Sequence, residues 1–231
     1  MPMKNHFSGL LLCEFIGSFF LVVAAIAPMI LLYHVLEVDL ALAIIGDAIA
    51  VGFVLFALIE IFGPICTAYF NPAVCFAMVL RKDLSIKKGF ILSINQIAGG
   101  ILGMLSVHIM FYHHIPTLFT ISTIPRSGGM YFSELLGTFI LVLAILVLVH
   151  QQSQKISLVV GLLVGGMLLS TSSTMFANPQ VTITRTFTYS TTGIQPIDAL
   201  VFIGIQLIGA LLALVIWRRI QLRCTIFKKK T

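Results

Sequence analysis

Long apolar runs are the feature that most restricts how this chain can fold. A helix needs roughly 20 apolar residues to cross a bilayer. Six stretches reach or approach that length, at about residues 10–33, 40–62, 86–111, 131–149, 156–173 and 197–217. Because every backbone polar group must be satisfied within the protein at membrane depth, only helices and closed barrels span membranes. The runs therefore predict an all-α membrane protein with six spans.

Composition agrees with a membrane protein and argues against other classes. Of the 231 residues 59% are hydrophobic and 10% charged, and the mean hydropathy is +1.09, far from a soluble domain. No charge run or low-complexity block divides the chain, so residues 1–231 are expected to form one membrane domain with a basic tail at 218–231. The basic residues lie between and at the ends of the apolar runs, which favours a lipid bilayer over nucleic acid as partner.

Two Asn-Pro pairs interrupt the apolar pattern, in Asn71-Pro72-Ala73 and in Asn178-Pro179-Gln180. An Asn side chain can cap the first turn of a helix, and Pro suits the first helical position. Each pair follows an apolar run and leads into a segment too short to cross, about residues 71–80 and 178–189. The pattern predicts two re-entrant half-helices that begin inside the membrane.

An internal repeat supports this division. Glu-x-x-Gly occurs at residues 14–17 and 134–137, and Gln-x-x-Gly at 96–99 and 206–209, with one Asn-Pro pair between them in each half. The halves, about residues 7–112 and 128–220, each hold three spans, so the second half must be inverted relative to the first. Inverted repeats place a functional site at the midplane, with half-helix starts pointing at it.

The distribution of basic residues predicts the orientation. With both termini in the cytoplasm, 12 of the 14 Lys and Arg residues lie on the cytoplasmic side, and only Arg126 and Arg185 lie outside. We therefore expect a multi-pass protein of the cell membrane with both ends in the cytoplasm.

Two facing helix starts have a defined chemistry. Each carries about half a positive charge, so the meeting point repels cations, while the Asn71 and Asn178 amides offer hydrogen bonds to a neutral solute. One interpretation is a passive channel for water and small uncharged solutes. The alternative is an inverted-repeat secondary transporter with ordinary capped helices, coupled through the intramembrane carboxylates of Glu14 or Glu134. No nucleophile-base pair or phosphate-binding loop indicates an enzyme.

These landmarks resemble those of the aquaporin, or major intrinsic protein, family over nearly the whole chain. The resemblance implies an inverted-repeat bundle of six transmembrane helices plus two half-helices, and a homotetramer with one pore per subunit. Passive conduction without a cofactor follows from it. It also implies that Glu14 and Glu134 accept hydrogen bonds from the loops and hold the half-helices, with support from Gln96 and Gln206.

The chain departs from the water channels of that family in its selectivity filter. The residue that follows the second motif, usually Arg, is Val181, and ungapped counting gives Val51, Gly166 and Met175 as the other filter positions. None of the four is aromatic or charged, so we expect a wide, apolar filter that admits glycerol. Val181 with Arg185 four residues later also resembles a bacterial subgroup found with arsenic-resistance genes, which implies arsenite or methylated arsenicals as cargo.

Several polar residues allow more than one interpretation. Arg185 lies one turn outward from Val181 and either forms a cationic ring at the outer mouth or extends to the membrane interface. Gln180 replaces the usual small Ala and is expected to narrow or rewire the constriction. Asp47 and Glu60 lie in the second span, where either residue could face water near an end.

No metal site is expected. His113 and His114 are adjacent with no third ligand at metal spacing, which favours a solvated pair. The four cysteines are scattered and are expected to be free thiols, namely Cys13, Cys66, Cys75 and Cys224.

Overall fold

The structure, a computed structural model, describes residues 7–228, and the side chains of residues 7–223. Within this part of the chain, eight α-helices follow one another. They are α1 (Phe7–Met29), α2 (Leu40–Phe62), α3 (Pro72–Arg81), α4 (Ile86–Met110), α5 (Gly129–His150), α6 (Ile156–Ser170), α7 (Pro179–Arg185) and α8 (Pro196–Lys228). A π-helical segment, Ile30–Val35, extends α1. The described residues form no strand, so the all-α prediction is confirmed.

The expected six spans and two half-helices are present. Five helices, α1, α2, α4, α5 and α8, are long and apolar enough to cross a membrane. The sixth span, α6, has 15 residues, which corresponds to about 22 Å. The prediction that it extends to residue 173 was wrong, because Thr171 is already extended, with φ −118° and ψ 144°.

The second half-helix is shorter than expected. It was predicted to reach about residue 189, but α7 ends at Arg185. Carbonyl groups at this end accept hydrogen bonds from other segments instead of from a further helical turn. The Ile194 N–H donates to the Arg185 carbonyl at 3.2 Å, and the Ser122 N–H donates to the Thr186 carbonyl at 2.8 Å.

The basic C-terminal segment is helical where it is described, because α8 continues to Lys228. The prediction of a cytoplasmic tail at residues 218–231 stays a prediction. The Arg218 guanidinium donates to the Leu80 carbonyl at 2.9 Å and so binds one of the last carbonyls of α3. Lys4, Lys229 and Lys230 lie outside the described residues.

Two helix pairs pack closely at equivalent places in the two halves. α1 packs against α4, and α5 packs against α8. A Cβ atom at Gly103 would lie 2.4 Å from the Phe19 carbonyl oxygen, and one at Gly209 would lie 2.8 Å from the Leu135 carbonyl oxygen. Small residues allow such close approach between helices in lipid. The glycines therefore fix the distance between the spans that frame the half-helices.

We predict that Gly103→Ala lowers the free energy of unfolding by about 1–3 kcal/mol, because the added methyl group forces α4 away from α1. The measurement is the thermal unfolding midpoint of the purified protein in detergent. Gly204→Ala is the matched control, since a Cβ there meets nothing within 4 Å. Equal midpoints for the two variants would contradict the prediction.

Candidate functional site

A cavity of about 440 Å³ lies between the two halves of the chain. It extends from Glu60, near the end of α2, past Asn71 and Asn178 to Arg185. Arg185 lies beside Asp47, and the 13 helical steps of α2 from Asp47 to Glu60 correspond to about 20 Å. We call the two ends of the cavity the Glu60 end and the Arg185 end.

Most of the cavity wall is aliphatic. Residues from α1, α2, α5 and α6 supply this surface, including Leu21, Leu55, Ile59, Leu141, Val160 and Val164. The polar side chains include Glu60, Thr67, Tyr69, Ser153, Gln154 and Ser157, together with the two asparagines in the middle and Arg185 at the other end. A wall of this kind offers a solute hydrogen bonds only at a few places along its path.

The two asparagines cap the half-helices in nearly identical geometry. Asn71 has φ −156° and ψ 116°, and Asn178 has φ −153° and ψ 110°. Each side-chain oxygen accepts from the N–H two residues later, that of Ala73 at 2.9 Å and that of Gln180 at 3.0 Å. Pro72 and Pro179 therefore occupy the first helical positions.

The asparagines also tie the two halves together. The Asn71 Nδ2 donates to the Ala177 carbonyl at 2.9 Å, and the Asn178 Nδ2 donates to the Phe70 carbonyl at 2.9 Å. Each half-helix start is therefore held by the loop that precedes the other one. Because a side-chain amide has two N–H groups, each asparagine retains one that can face the cavity.

The loop before α3 is held by a single carboxylate. Glu14 is fully buried, and its oxygens accept four hydrogen bonds at 2.7–2.8 Å, from the Thr67 hydroxyl, the Tyr69 and Phe70 N–H groups and the Gln96 amide. Ala68 and Phe70 have φ values of 46°, a region that non-glycine residues rarely adopt. The carboxylate thus stabilises a strained loop that lies against the cavity.

The loop before α7 repeats this arrangement. Glu134 is fully buried and accepts four hydrogen bonds at 2.7–2.8 Å. The donors are the Ser173 hydroxyl, the N–H groups of residues 176 and 177, and the Gln206 amide. Met175 and Ala177 have φ values of 31° and 44°, at the places that correspond to Ala68 and Phe70. Gln206 also donates to the Thr182 hydroxyl in α7, at 2.9 Å.

Three of the four expected filter residues line the cavity, namely Val51, Met175 and Val181. Gly166 does not fit the expectation, because it is exposed and a Cβ there would meet nothing within 4 Å. Spacing from the second motif does not fix which face of α6 a residue occupies. Leu168, which the sequence reasoning missed, lines the cavity with Val164, and residues four apart share a helix face.

Arg185 does not extend to the membrane interface but lies at one end of the cavity, and its place at the outer mouth stays a prediction. Its side chain is 2% exposed and lies at the cavity wall. The guanidinium donates to the Ala25 carbonyl of α1, lies 4.3 Å from the centre of the Phe176 ring, and is 3.9 Å from the Asp47 carboxylate. The cavity therefore has a guanidinium at this end, although position 181 is Val.

The other weighed polar residues also have defined places. Gln180 is fully buried and donates to the Ser18 carbonyl of α1 at 3.3 Å. Its side chain therefore points into protein, whereas we expected it to narrow or rewire the constriction. Asp47 is buried beside Arg185 and does not face water. Glu60 lines the cavity and accepts a hydrogen bond from the Ser157 hydroxyl at 2.5 Å.

Comparison with known proteins gives this architecture a family. The family model described as "Major intrinsic protein" matches residues 2–177 of the chain. The chain belongs to the major intrinsic protein family. Members of this family are passive channels, not enzymes, so this membrane protein is a channel.

Individual relatives agree with the family model. The channel is 34% identical over 198 residues to aquaglyceroporin AqpS of Rhizobium meliloti. The matched region covers 86% of this chain and 84% of the relative. It is also 26% identical over 183 residues to aquaporin NIP1-4 of rice. This match covers 78% of this chain and 63% of the rice protein. The X-ray structure of the aquaglyceroporin from Plasmodium falciparum has the same fold, with a TM-score of 0.66, 20% identity, and coverage of 92% and 94%.

We predict that Glu134→Gln destabilises the channel by about 2 kcal/mol or more, because the amide nitrogen cannot accept and leaves buried loop donors unpaired. The measurement is the fraction of protein that elutes as a folded peak after heating in detergent. Glu37→Gln, at an exposed carboxylate, is the control. An unchanged elution profile for Glu134→Gln would show that the carboxylate is not needed to hold the loop.

Proposed function

We propose that this channel conducts water and small uncharged hydroxylated solutes, with glycerol as the first candidate. The observation that carries the proposal is the cavity itself, which is mainly aliphatic and has isolated polar groups at Asn71, Asn178 and Arg185. A solute with an apolar carbon edge and hydroxyl groups on the other edge matches this lining. The name aquaglyceroporin, given to one relative, points to the same class of solute.

The proposed selectivity region consists of the cavity-lining residues near the Arg185 end, namely Val51, Leu168, Met175, Val181 and Arg185. It combines aliphatic side chains with one guanidinium. The aliphatic members leave more room than aromatic rings would, and Arg185 supplies hydrogen-bond donors to a hydroxyl oxygen. Arg185 lies one helical turn further along α7 than Val181. The region therefore contains a guanidinium although residue 181 itself is a small valine.

The midplane residues have two proposed roles. Asn71 and Asn178 each keep one amide N–H for a passing solute, while the other N–H holds the opposite loop. Pro72, Ala73, Pro179 and Gln180 form the first turns of the half-helices behind them. Glu14, Glu134, Gln96 and Gln206 are proposed to support the loops, since their side chains bind loop atoms or one another.

Undissociated arsenite and methylated arsenicals remain candidate cargo. Arsenite in its neutral form carries three hydroxyl groups and resembles glycerol in hydrogen bonding, so the same cavity suits both. The support is the resemblance carried by Val181 and Arg185 together with the aliphatic wall around them. A wider, less aromatic constriction favours solutes larger than water.

We also propose how the channel sits in the membrane. The excess of Lys and Arg on one side supports an orientation with both termini and the Glu60 end in the cytoplasm, and the Arg185 end outside. The inner, or plasma, membrane is the proposed location. One domain spanning residues 1–231 forms each subunit, with half-repeats at about 7–112 and 128–220. A homotetramer with a pore in every subunit is the proposed assembly.

The test is a flux panel in proteoliposomes that contain the purified channel. Water, glycerol, urea and arsenite are compared by stopped-flow light scattering or by uptake. We expect glycerol flux that does not saturate at low concentration and does not respond to a pH gradient. Saturable, proton-dependent uptake would instead favour the secondary transporter coupled through Glu14 or Glu134, and would overturn the proposal.

We predict that Leu168→Trp reduces glycerol flux about tenfold or more while water flux falls less, because the indole narrows the proposed selectivity region. Gly166→Trp is the matched control, since it adds the same group at an exposed position of α6 where a Cβ has no close neighbour. Both variants are measured in the same proteoliposome assay. A larger loss of glycerol flux in Gly166→Trp would place Gly166, and not Leu168, in the constriction.

A further inference from the structure

A buried pair of opposite charges borders the cavity at the Arg185 end. The Arg185 guanidinium and the Asp47 carboxylate are 3.9 Å apart, and their side chains are 2% and 3% exposed. The pair connects α7 to α2. Removing two charges from water costs free energy that their attraction offsets only in part, so such a pair is weak as a source of stability. Its position beside the cavity suggests a role in conduction instead.

Asp47 is close to the proposed selectivity region although the family resemblance gave it no role. It lies one helical turn before Val51, and residues four apart share a helix face. Its Oδ1 atom and the Arg185 Nε have no hydrogen-bond partner among the residues whose side chains the structure describes. The Asp47 carboxylate therefore acts on Arg185 mainly through its charge, whereas Ala25 and Phe176 hold the guanidinium by direct contact.

A second arginine lies near the pair. Arg126 lies 5.3 Å from the centre of the Phe176 ring that Arg185 also contacts. Its side chain donates to the Gly193 carbonyl, and its backbone N–H donates to the Asp198 carboxylate at 2.6 Å. The Arg126 guanidinium therefore binds a backbone carbonyl, and not the carboxylate of Asp198. Among the described residues Asp47 supplies the carboxylate within 4 Å of the Arg185 guanidinium, so loss of Asp47 would leave that guanidinium without its paired charge.

We propose that Asp47 is a specificity-determining residue that compensates the charge of Arg185 and so prevents anions from entering the pore. This inference rests on the proposed conduction of neutral solutes. The helix starts at the midplane repel cations but would attract anions, so the channel needs a second means of excluding anions. Because Coulomb interactions are strong where water is scarce, an unpaired guanidinium at the cavity wall would draw anions in. The paired guanidinium keeps its hydrogen-bond donors without that attraction.

The experiment uses the reconstituted full-length channel with a halide-sensitive dye inside the vesicles and a potassium ionophore to balance charge. Asp47→Asn keeps the shape of the side chain and removes its charge. We expect chloride influx through Asp47→Asn to exceed that of the wild type about tenfold. Glu37→Gln, which removes an exposed charge from the segment before α2, is expected to match the wild type.

A double variant separates charge compensation from a packing role. Asp47→Asn combined with Arg185→Gln removes both charges, and we expect its chloride influx to return to the wild-type level. Equal chloride influx in the double and single variants would indicate a packing defect and overturn the inference. So would an Asp47→Asn channel that still conducts glycerol and admits no more chloride than the wild type.

Two further variants decide the matter if Asp47→Asn does not fold. Asp47→Glu and Arg185→Gln both retain a carboxylate at position 47, and both are expected to exclude chloride. Chloride entry through either would overturn the inference. The wild-type channel distinguishes failure of this inference from failure of the proposed function. If the proposed function is wrong, the wild type conducts neither glycerol nor the other neutral solutes of the panel.

Discussion

The fold depends on two buried carboxylates that hold two strained loops at membrane depth. Glu14 and Glu134 each accept four hydrogen bonds, two of them from backbone N–H groups of the loop before a half-helix. Each loop contains non-glycine residues with positive φ, a conformation that costs on the order of 1–3 kcal/mol per residue. Irregular backbone inside a membrane persists only where protein or a watery cavity satisfies it. Without these carboxylates the asparagines would have no fixed place beside the cavity.

The two halves share this framework but differ in what they present to the cavity. The caps, the loop strain and the Gln-to-Glu bridges repeat nearly atom for atom. The half-helices themselves diverge, since α3 has ten residues and α7 has seven, and only α7 carries an arginine that lines the cavity. The repeat therefore supplies a symmetric scaffold, and the guanidinium at one end of the cavity comes from the second half alone.

The sequence predicted most of the architecture because its landmarks are local chemical requirements. Apolar length gives a span, Asn-Pro gives a helix start, and an intramembrane carboxylate requires donors nearby. The failures concern quantities that spacing does not encode. Gly166 was misplaced because spacing from the second motif does not fix which face of α6 a residue occupies, and Gln180 was misjudged because its rotamer decides where its long side chain ends. The position of Asp47 could have been predicted from the sequence, since it precedes Val51 by one turn and so shares its helix face.

The mutual bonds between Asn71 and the Ala177 carbonyl, and between Asn178 and the Phe70 carbonyl, join residues 106 and 108 positions apart. During synthesis the first half of the chain enters the membrane before its counterpart exists. Until then the Phe70 carbonyl and one Asn71 amide hydrogen lack their final partners, which makes the early half an incomplete folding unit. These two bonds can therefore form only once the downstream re-entrant segment has been made and has docked against the first half.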